Sequence, residues 1–268
     1  MTSFEIRDVF EDDAPILVFG GPYSNLQAIR ALRTEARRLG IAADRVICTG
    51  DVVAYCADAA ETVAEIRDWG CHVLAGNCER QLAAGALDCG CGFQEGTVCN
   101  LLSAGWYAHA SAQVGQDARH WMASLPDGLR FRHAGRMCLA LHGGVTDIAR
   151  FLFERSPETD FTEELAELGP DVPDVVLAGH SGIPFVRKIG QVTWANAGVI
   201  GMPPNDGKPQ TRYAVLEAGE MVLHSLDYDW HGAQKAMEAA GLTQGYHAAL
   251  GTGFWPSEDV LPPSMRRS

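Results

Sequence analysis

Arg45-Val46-Ile47-Cys48-Thr49-Gly50-Asp51-Val52-Val53-Ala54-Tyr55 is the stretch from which the fold can be read. Val46, Ile47 and Cys48 are short, apolar and partly β-branched, and Thr49-Gly50 breaks the run at once. That is how a buried parallel strand ends. Asp51 falls just past the strand's carboxyl end, where open α/β sheets collect their ligands. An unpaired carboxylate in such a place is costly, so a metal ion is its natural partner. A helix-capping role for the segment that follows is compatible with this.

The same pattern recurs on both sides. Residues 15–19 form a short apolar strand, broken by Gly20-Gly21-Pro22-Tyr23-Ser24, and Asn25 is placed to cap a helix. Leu26, Ile29, Leu32, Ala36 and Leu39 keep a helical period over 26–39, which Gly40 ends. After the central strand, a helix over 59–69 closes at Gly70, and residues 71–74 give a third strand running into Gly76-Asn77-Cys78-Glu79. This β-α-β-α-β order predicts a parallel sheet with right-handed crossovers. Downstream, helices over 80–124 are interrupted by a Gly- and Cys-rich loop at 88–96. A hairpin across Ala134-Gly135 leads to His142-Gly143-Gly144, and a helix near 161–168 precedes a strand at 174–178 that ends in Gly179-His180-Ser181-Gly182. Short strands then alternate with turns over 185–226, and a helix at 232–240 and a Pro-containing tail follow. With no repeat, linker or low-complexity segment in view, one domain over 1–268 is expected.

Composition narrows the function classes. Hydrophobic residues make up 47% of 268, an ordinary globular share. A net charge of −13 speaks against binding duplex nucleic acid or an anionic membrane surface, because there is no basic surplus to release counterions. Residues 1–13 are acidic and lack an apolar centre, so no signal peptide is expected, and no apolar run approaches a membrane span. A cytoplasmic location follows as the expectation, with the eight cysteines reduced unless a metal claims some of them.

Read together, Gly50-Asp51, Gly76-Asn77, His142-Gly143 and Gly179-His180 stand in that order at strand ends. This succession resembles the calcineurin-like metallophosphoesterase family, which includes diadenosine tetraphosphatases and Ser/Thr phosphatases. Its pattern is Asp-X-His, Gly-Asp, Gly-Asn-His-Asp/Glu, a lone His and Gly-His-X-His. The resemblance runs from Ile16 to about Leu226 and implies a four-layer α/β/β/α sandwich. It also implies two metal positions. One would take the first-motif Asp and His, the bridging Asp and the final His. The other would take the bridging Asp, the Asn, the lone His and the first His of the last motif.

The departures from this pattern fall on one of the two positions. Gly21 and Tyr23 stand where the first motif has Asp and His, Gly182 stands at the final His, and Cys78 replaces the His beside Asn77. The resemblance therefore leaves Asp51, Asn77, His142 and His180 as ligands of one divalent transition metal (Mn, Fe or Zn), with Asp51, Asn77 and His142 as the catalytic candidates. Two imidazoles, a carboxylate and an amide oxygen suit such an ion. Asn77 alternatively caps the helix after it. Tyr23, Asn25, Cys78 and Arg80 are candidates to touch the substrate or support the ligands, and Arg150 and Arg155 are possible phosphate contacts. Tyr23 can donate a phenolic hydrogen bond. Cys48, Cys71 and Cys138 read as small buried hydrophobes in strands. Cys89, Cys91 and Cys99 match no standard zinc spacing and stand as an extra metal or redox group. Two functions result: a phosphoesterase acting on a small phosphorylated substrate (monoester, diester or nucleotide) through one intact metal site and one degenerate site, or a phosphatase-like protein that binds a phosphorylated ligand or a partner without turnover.

Overall fold

The structure, a computed structural model, describes residues 4–11 and 13–267; residues 1–3, 12 and 268 lie outside the described residues. In chain order the elements are β1 (Ile6–Glu11), β2 (Ile16–Phe19), α1 (Leu26–Arg38), β3 (Val46–Cys48), α2 (Ala59–Trp69), β4 (His72–Val73) and α3 (Asn77–Ala84). They continue with α4 (Val98–Gln113), α5 (Gln116–Ala123), β5 (Gly128–His133), β6 (Arg136–Leu141), α6 (Glu158–Glu167) and β7 (Val175–Ala178). β8 (Phe185–Ile189), β9 (Val192–Asn196), β10 (Thr211–Glu217), β11 (Glu220–Leu226), α7 (Trp230–Ala239) and α8 (Tyr246–Thr252) complete the order.

Strand alternation creates the layers. Along β2, Ile16 and Val18 point to one face and Leu17 and Phe19 to the other, and all four are fully buried. Ile16, Val18, Ile47 and Leu74 pack against Leu129, Phe131, Ala140, Val175 and Leu177, a core between two sheets. On the opposite face Leu17, Phe19, Val46 and Cys48 meet the apolar stripes of α1 and α2. Behind the second sheet, Leu139, Leu141, Val176 and Trp194 receive Phe161 and Leu165 of α6. The result is the α/β/β/α sandwich expected from the sequence.

One sheet has five strands in the order β11-β10-β2-β3-β4, the other six in the order β1-β5-β6-β7-β9-β8. β2, β3 and β4 run parallel, as do β6, β7 and β9. Their carboxyl ends collect at one edge of the sandwich, where a bridge between Gly20 and Val199 links the two sheets. This edge carries the motifs.

Several local expectations need correction. β1 carries the pattern Ile-Arg-Asp-Val-Phe-Glu, mostly exposed, too polar to read as a strand; pairing with β5 at the sheet edge makes it one. The expected strand at 71–74 shrinks to His72–Val73, which leaves Cys71 outside it and only half-buried. α8 sits in the tail that had no predicted helix, because it anchors through little more than Ala249 and Leu250. Among the described residues, no helix is long and apolar enough to cross a membrane.

Candidate metal centre

Four side chains arrive from four strand ends. Asp51 follows β3, Asn77 opens α3 just after β4, His142 follows β6 and His180 follows β7. All four are buried, at 4%, 1%, 2% and 7% exposure. His142 Nε2 lies 3.0 Å from Asn77 Oδ1, 3.2 Å from His180 Nδ1 and 3.3 Å from Asp51 Oδ2. His180 Nδ1 lies 3.9 Å from that same carboxylate oxygen. With bonds of ~2.1 Å, ligand atoms around one ion stand ~3.0 Å apart in an octahedral arrangement and ~3.4 Å in a tetrahedral one. The spacing fits a shared ion, and Asp51, His142 and His180 alone place their donor atoms within 4.8 Å of one another.

The donors are also aimed. His142 Nδ1 sits 2.6 Å from the Thr49 carbonyl oxygen, so that nitrogen carries the proton and Nε2 turns its lone pair inward. Asn77 Nδ2 donates to the Cys89 carbonyl at 2.9 Å, which directs Oδ1 towards the histidines. Asn196 spans the last motif: its Nδ2 donates to the Gly179 carbonyl and its Oδ1 accepts from Gly198 N. Asp51 and His180 are both non-glycine residues in the left-handed region, at φ 55° and 56°. Such backbone persists only where its surroundings enforce it. For Asp51 the enforcing group is Glu79, fully buried, whose Oε2 accepts from Asp51 N at 2.8 Å and from Gly76 N at 2.9 Å.

Charges in the cluster are coupled. Burial opposes ionisation of Asp51, but the neighbouring His142 outweighs it and holds the carboxyl below its usual range. Burial likewise opposes protonation of His142, and the Asp51 carboxylate outweighs that and raises it. His180 drops to about 3 through burial and then the charge of His142, so it stays neutral, the form a ligand needs. Burial, followed by the charge of Asp51, pushes the Cys78 thiol well above its normal value, which excludes it as a thiolate nucleophile.

The other side of the edge is built differently. A Cβ on Gly21 (φ +34°) would stand 2.5 Å from Tyr23 Cε1 and 2.8 Å from Val199 Cγ1. A Cβ on Gly182 (φ +73°) would stand 3.5 Å from Trp255 Cζ2 and 3.8 Å from Tyr23 Oη. The ring of Tyr23 thus lies against Gly21, and Tyr23 and Trp255 together border Gly182. Tyr23 packs edge-on to Tyr55 at 4.8 Å between centroids.

Other sequence candidates resolve into structural roles. Asn25 caps α1, with Oδ1 accepting from Ala28 N and Nδ2 donating to the Gly201 carbonyl, so both ends of its amide are engaged away from the donors. Arg80 turns to Asp127 at 2.6 Å and to the Leu125 carbonyl at 2.9 Å. Arg150 is held by Glu163 and Glu164, and Arg155 donates to the Ser264 carbonyl. None of these guanidinium groups meets the four donors. The capping alternatives fail too: Asn77 is the first residue of α3, whose cap is Gly76, and no helix begins until Ala59 beyond Asp51. Cys89 and Cys91 form a disulfide across one residue, with Cα atoms 5.3 Å apart, so the expectation of eight reduced cysteines fails at this pair. Cys99 is free and separate from it. The pair is not remote, however, since Asn77 Nδ2 lies 3.4 Å from Cys91 Sγ.

Sequence reasoning missed Glu79, Thr49, Trp255 and Phe151, whose ring packs on that of His180 at 4.3 Å. For Glu79 a signal existed, an acidic residue two positions after Asn77 at a buried strand end. Thr49 acts through its carbonyl, which every residue type has. Phe151 and Trp255 come from segments far away in the chain, and no spacing links them to the motifs.

Residues 24–221 match the calcineurin-like phosphoesterase superfamily domain. The chain belongs to that superfamily. An uncharacterized protein of Methanocaldococcus jannaschii is 27% identical over 175 residues, which cover 64% of this chain and 64% of that relative, just under two thirds of its length. Among solved structures, a hypothetical protein of Pyrococcus horikoshii superposes with a TM-score of 0.74 at 15% identity, covering 89% of this chain and 98% of its own. A metallophosphoesterase of Sphaerobacter thermophilus does so with 0.67 at 19% identity, covering 90% and 100%. Both share the fold.

Proposed function

We propose that this protein hydrolyses a small phosphate ester at a centre built on one divalent transition metal, Mn, Fe or Zn, with Asp51, Asn77, His142 and His180 as its ligands. The observation that supports this is the inward convergence of four buried donors, with His142 Nε2 3.0–3.3 Å from the other three and His180 3.9 Å from Asp51, beside the positions of Gly21, Tyr23 and Gly182. When bound, such an ion polarises a phosphoryl oxygen and makes a water molecule more acidic. The chain's own residues do the rest. The Thr49 carbonyl fixes the His142 tautomer, Glu79 holds the Asp51 backbone, and burial keeps His180 neutral. Tyr23 keeps its proton, because burial and the charge of Asp51 raise it well above the usual value, and it is a donor for a phosphoryl oxygen. In this reading the chain works as one domain, in the cytoplasm, on a small anionic ligand rather than on a nucleic acid duplex.

A second reading, binding without turnover, draws on Cys78, whose buried neutral thiol is a poor substitute for a histidine that donates protons. Assays of an aryl phosphomonoester and an aryl phosphodiester with protein of measured metal content separate the two. Metal-dependent turnover that disappears in Asp51→Asn supports hydrolysis. Ligand binding with no turnover at any metal content supports the second reading.

A further inference from the structure

The loop that leaves His142 returns to His180. The His142 carbonyl accepts from Gly179 N at 2.6 Å, one residue before His180, so the two strand ends are already neighbours. From there the chain runs out through Gly143 and Gly144 and comes back at residues 151–152. The Phe151 ring packs on the His180 ring at 4.3 Å, and Leu152 N donates to Ser181 Oγ at 2.9 Å. One end of the loop is thus bonded to the first histidine and the other end lies against the second. Whatever fixes the loop bears on both.

Internal bonds shape this loop without anchoring it. Gly144 N and Arg150 N donate to the Asp147 carbonyl at 3.0 and 3.1 Å, and Ala149 N donates to Asp147 Oδ1 at 2.9 Å. The anchor is Glu164 of α6, which is fully buried. Its Oε2 accepts from Val145 N at 2.5 Å and from Thr146 N at 2.9 Å. Its Oε1 accepts from Thr146 Oγ1 at 2.5 Å and lies 3.4 Å from Arg150 Nε. All four partners come from residues 145–150. Gly144 lets the carboxylate approach, since a Cβ there would stand 2.6 Å from Oε2. A buried carboxylate is costly unless it is satisfied in this way. Phe161 and Leu165, the other buried residues of α6, are apolar, so filling the core does not call for a glutamate at 164.

We infer that Glu164 is a positioning residue for the metal centre: through the 143–152 loop it holds His142 and His180 at the spacing one ion needs. This rests on the metal-centre reading above and adds to it a support from a helix outside the strand-end motifs. Asp51 and Asn77 have their own braces in Glu79 and the Cys89 carbonyl, so Glu164 governs the histidine pair.

The test compares Glu164→Ala with Glu164→Gln in the full-length protein, stripped of metal and titrated with Mn in a calorimeter. Both changes remove the same charge. Only glutamine keeps an oxygen for the Val145 and Thr146 N–H groups and offers an N–H to Thr146 Oγ1. Mn binding should weaken by about tenfold or more in Glu164→Ala and by no more than about twofold in Glu164→Gln, because groups that orient metal ligands typically carry about 10–100-fold in affinity. A second arm needs no metal. In the metal-free protein, the ring-nitrogen NMR shifts of His142 and His180 should move in Glu164→Ala and stay near the parent's in Glu164→Gln. If Glu164→Ala does not fold, Thr146→Val takes its place; it deletes one donor, changes no charge and should weaken Mn binding by about threefold. Equal weakening in both Glu164 variants assigns the effect to charge and overturns the inference. Lower stability with unchanged Mn affinity and unchanged histidine shifts also overturns it, since a purely structural role gives that result. A parent that binds no Mn sinks the metal-centre reading instead, and the histidine shifts then decide the inference by themselves.

Discussion

The two halves of the motif edge differ in kind. On one half, four donors survive and each is braced: Asp51 by Glu79, Asn77 by the Cys89 carbonyl, His142 by the Thr49 carbonyl, and His180 by the Asn196-held loop. On the other half stand Gly21, Tyr23 and Gly182, with the Tyr23 ring against Gly21 and with Tyr23 and Trp255 bordering Gly182. A site that merely decays leaves gaps, because nothing selects what fills them. Here the Tyr23 ring fills the space beside Gly21, and the supports of the four donors are intact. Under the proposed function, one metal position of the family pattern is here converted into an aromatic wall.

The largest expected effect breaks the retained half. Asp51→Asn keeps the left-handed backbone, which asparagine tolerates, but removes the charge that binds the ion. Metal-dependent hydrolysis should fall by about 100-fold or more, a loss at least as large as those seen when groups supporting metal ligands are removed. Steady-state kinetics and elemental analysis on the same sample would show it, with circular dichroism unchanged from the parent. A variant as active as the parent places the chemistry elsewhere.

Glu79 tests the bracing. Glu79→Ala leaves the buried backbone N–H groups of Asp51, Gly76 and Val53 without this acceptor and should cost about 2–4 kcal/mol in a denaturant titration. Its titration adds a pH signature. Burial, followed by the charge of Asp51, raises Glu79 to about 7, above the ~4.3 of an unfolded chain. The folded, metal-free protein thus holds a proton that the unfolded chain releases. The stabilisation is complete below the unfolded value and is lost as pH rises through about 7. Glu79→Gln should remove this part of the decline in Tm between those two values; an unchanged profile would show that Glu79 does not contribute.

On the converted half, Gly21→Asp should destabilise by about 1–3 kcal/mol, since its Cβ would press into the Tyr23 ring and its backbone is left-handed. Combined with Tyr23→Ala, the cost should be less than the sum of the two single changes, because removing the ring removes the clash. Strict additivity would show that the two residues do not compete for the same space. The smallest effect belongs to a residue read from sequence as a possible substrate contact. Arg80→Ala gives up the pair with Asp127 and should cost no more than about 1 kcal/mol, with kcat/KM unchanged.

Legibility in the sequence followed the same division. The strand-end motifs were readable because each joins a short apolar run to a Gly-polar break, and that local pattern fixes both the sheet edge and the four donors. Helix α2 and its Gly70 stop were legible for the same reason: period and cap lie within a dozen residues. β1 was not, because an exposed edge strand has no apolar face to display, and its existence depends on a partner more than a hundred residues away. The other half was legible only as departures from the family pattern. That Tyr23 fills the gap, and that Trp255 arrives from the C-terminal segment to meet Gly182, depends on tertiary packing that leaves no spacing in the chain. Arg80 misled because its neighbours in sequence belong to the site while its side chain turns to the loop before β5.

The most direct measurement is metal stoichiometry. Protein purified, stripped by a chelator and reloaded with Mn or Zn should hold one ion per chain by elemental analysis and by calorimetric titration, with about none in His142→Ala. Two tightly bound ions per chain would contradict the conversion of the second position and would require ligands other than Gly21, Tyr23 and Gly182 to hold the second.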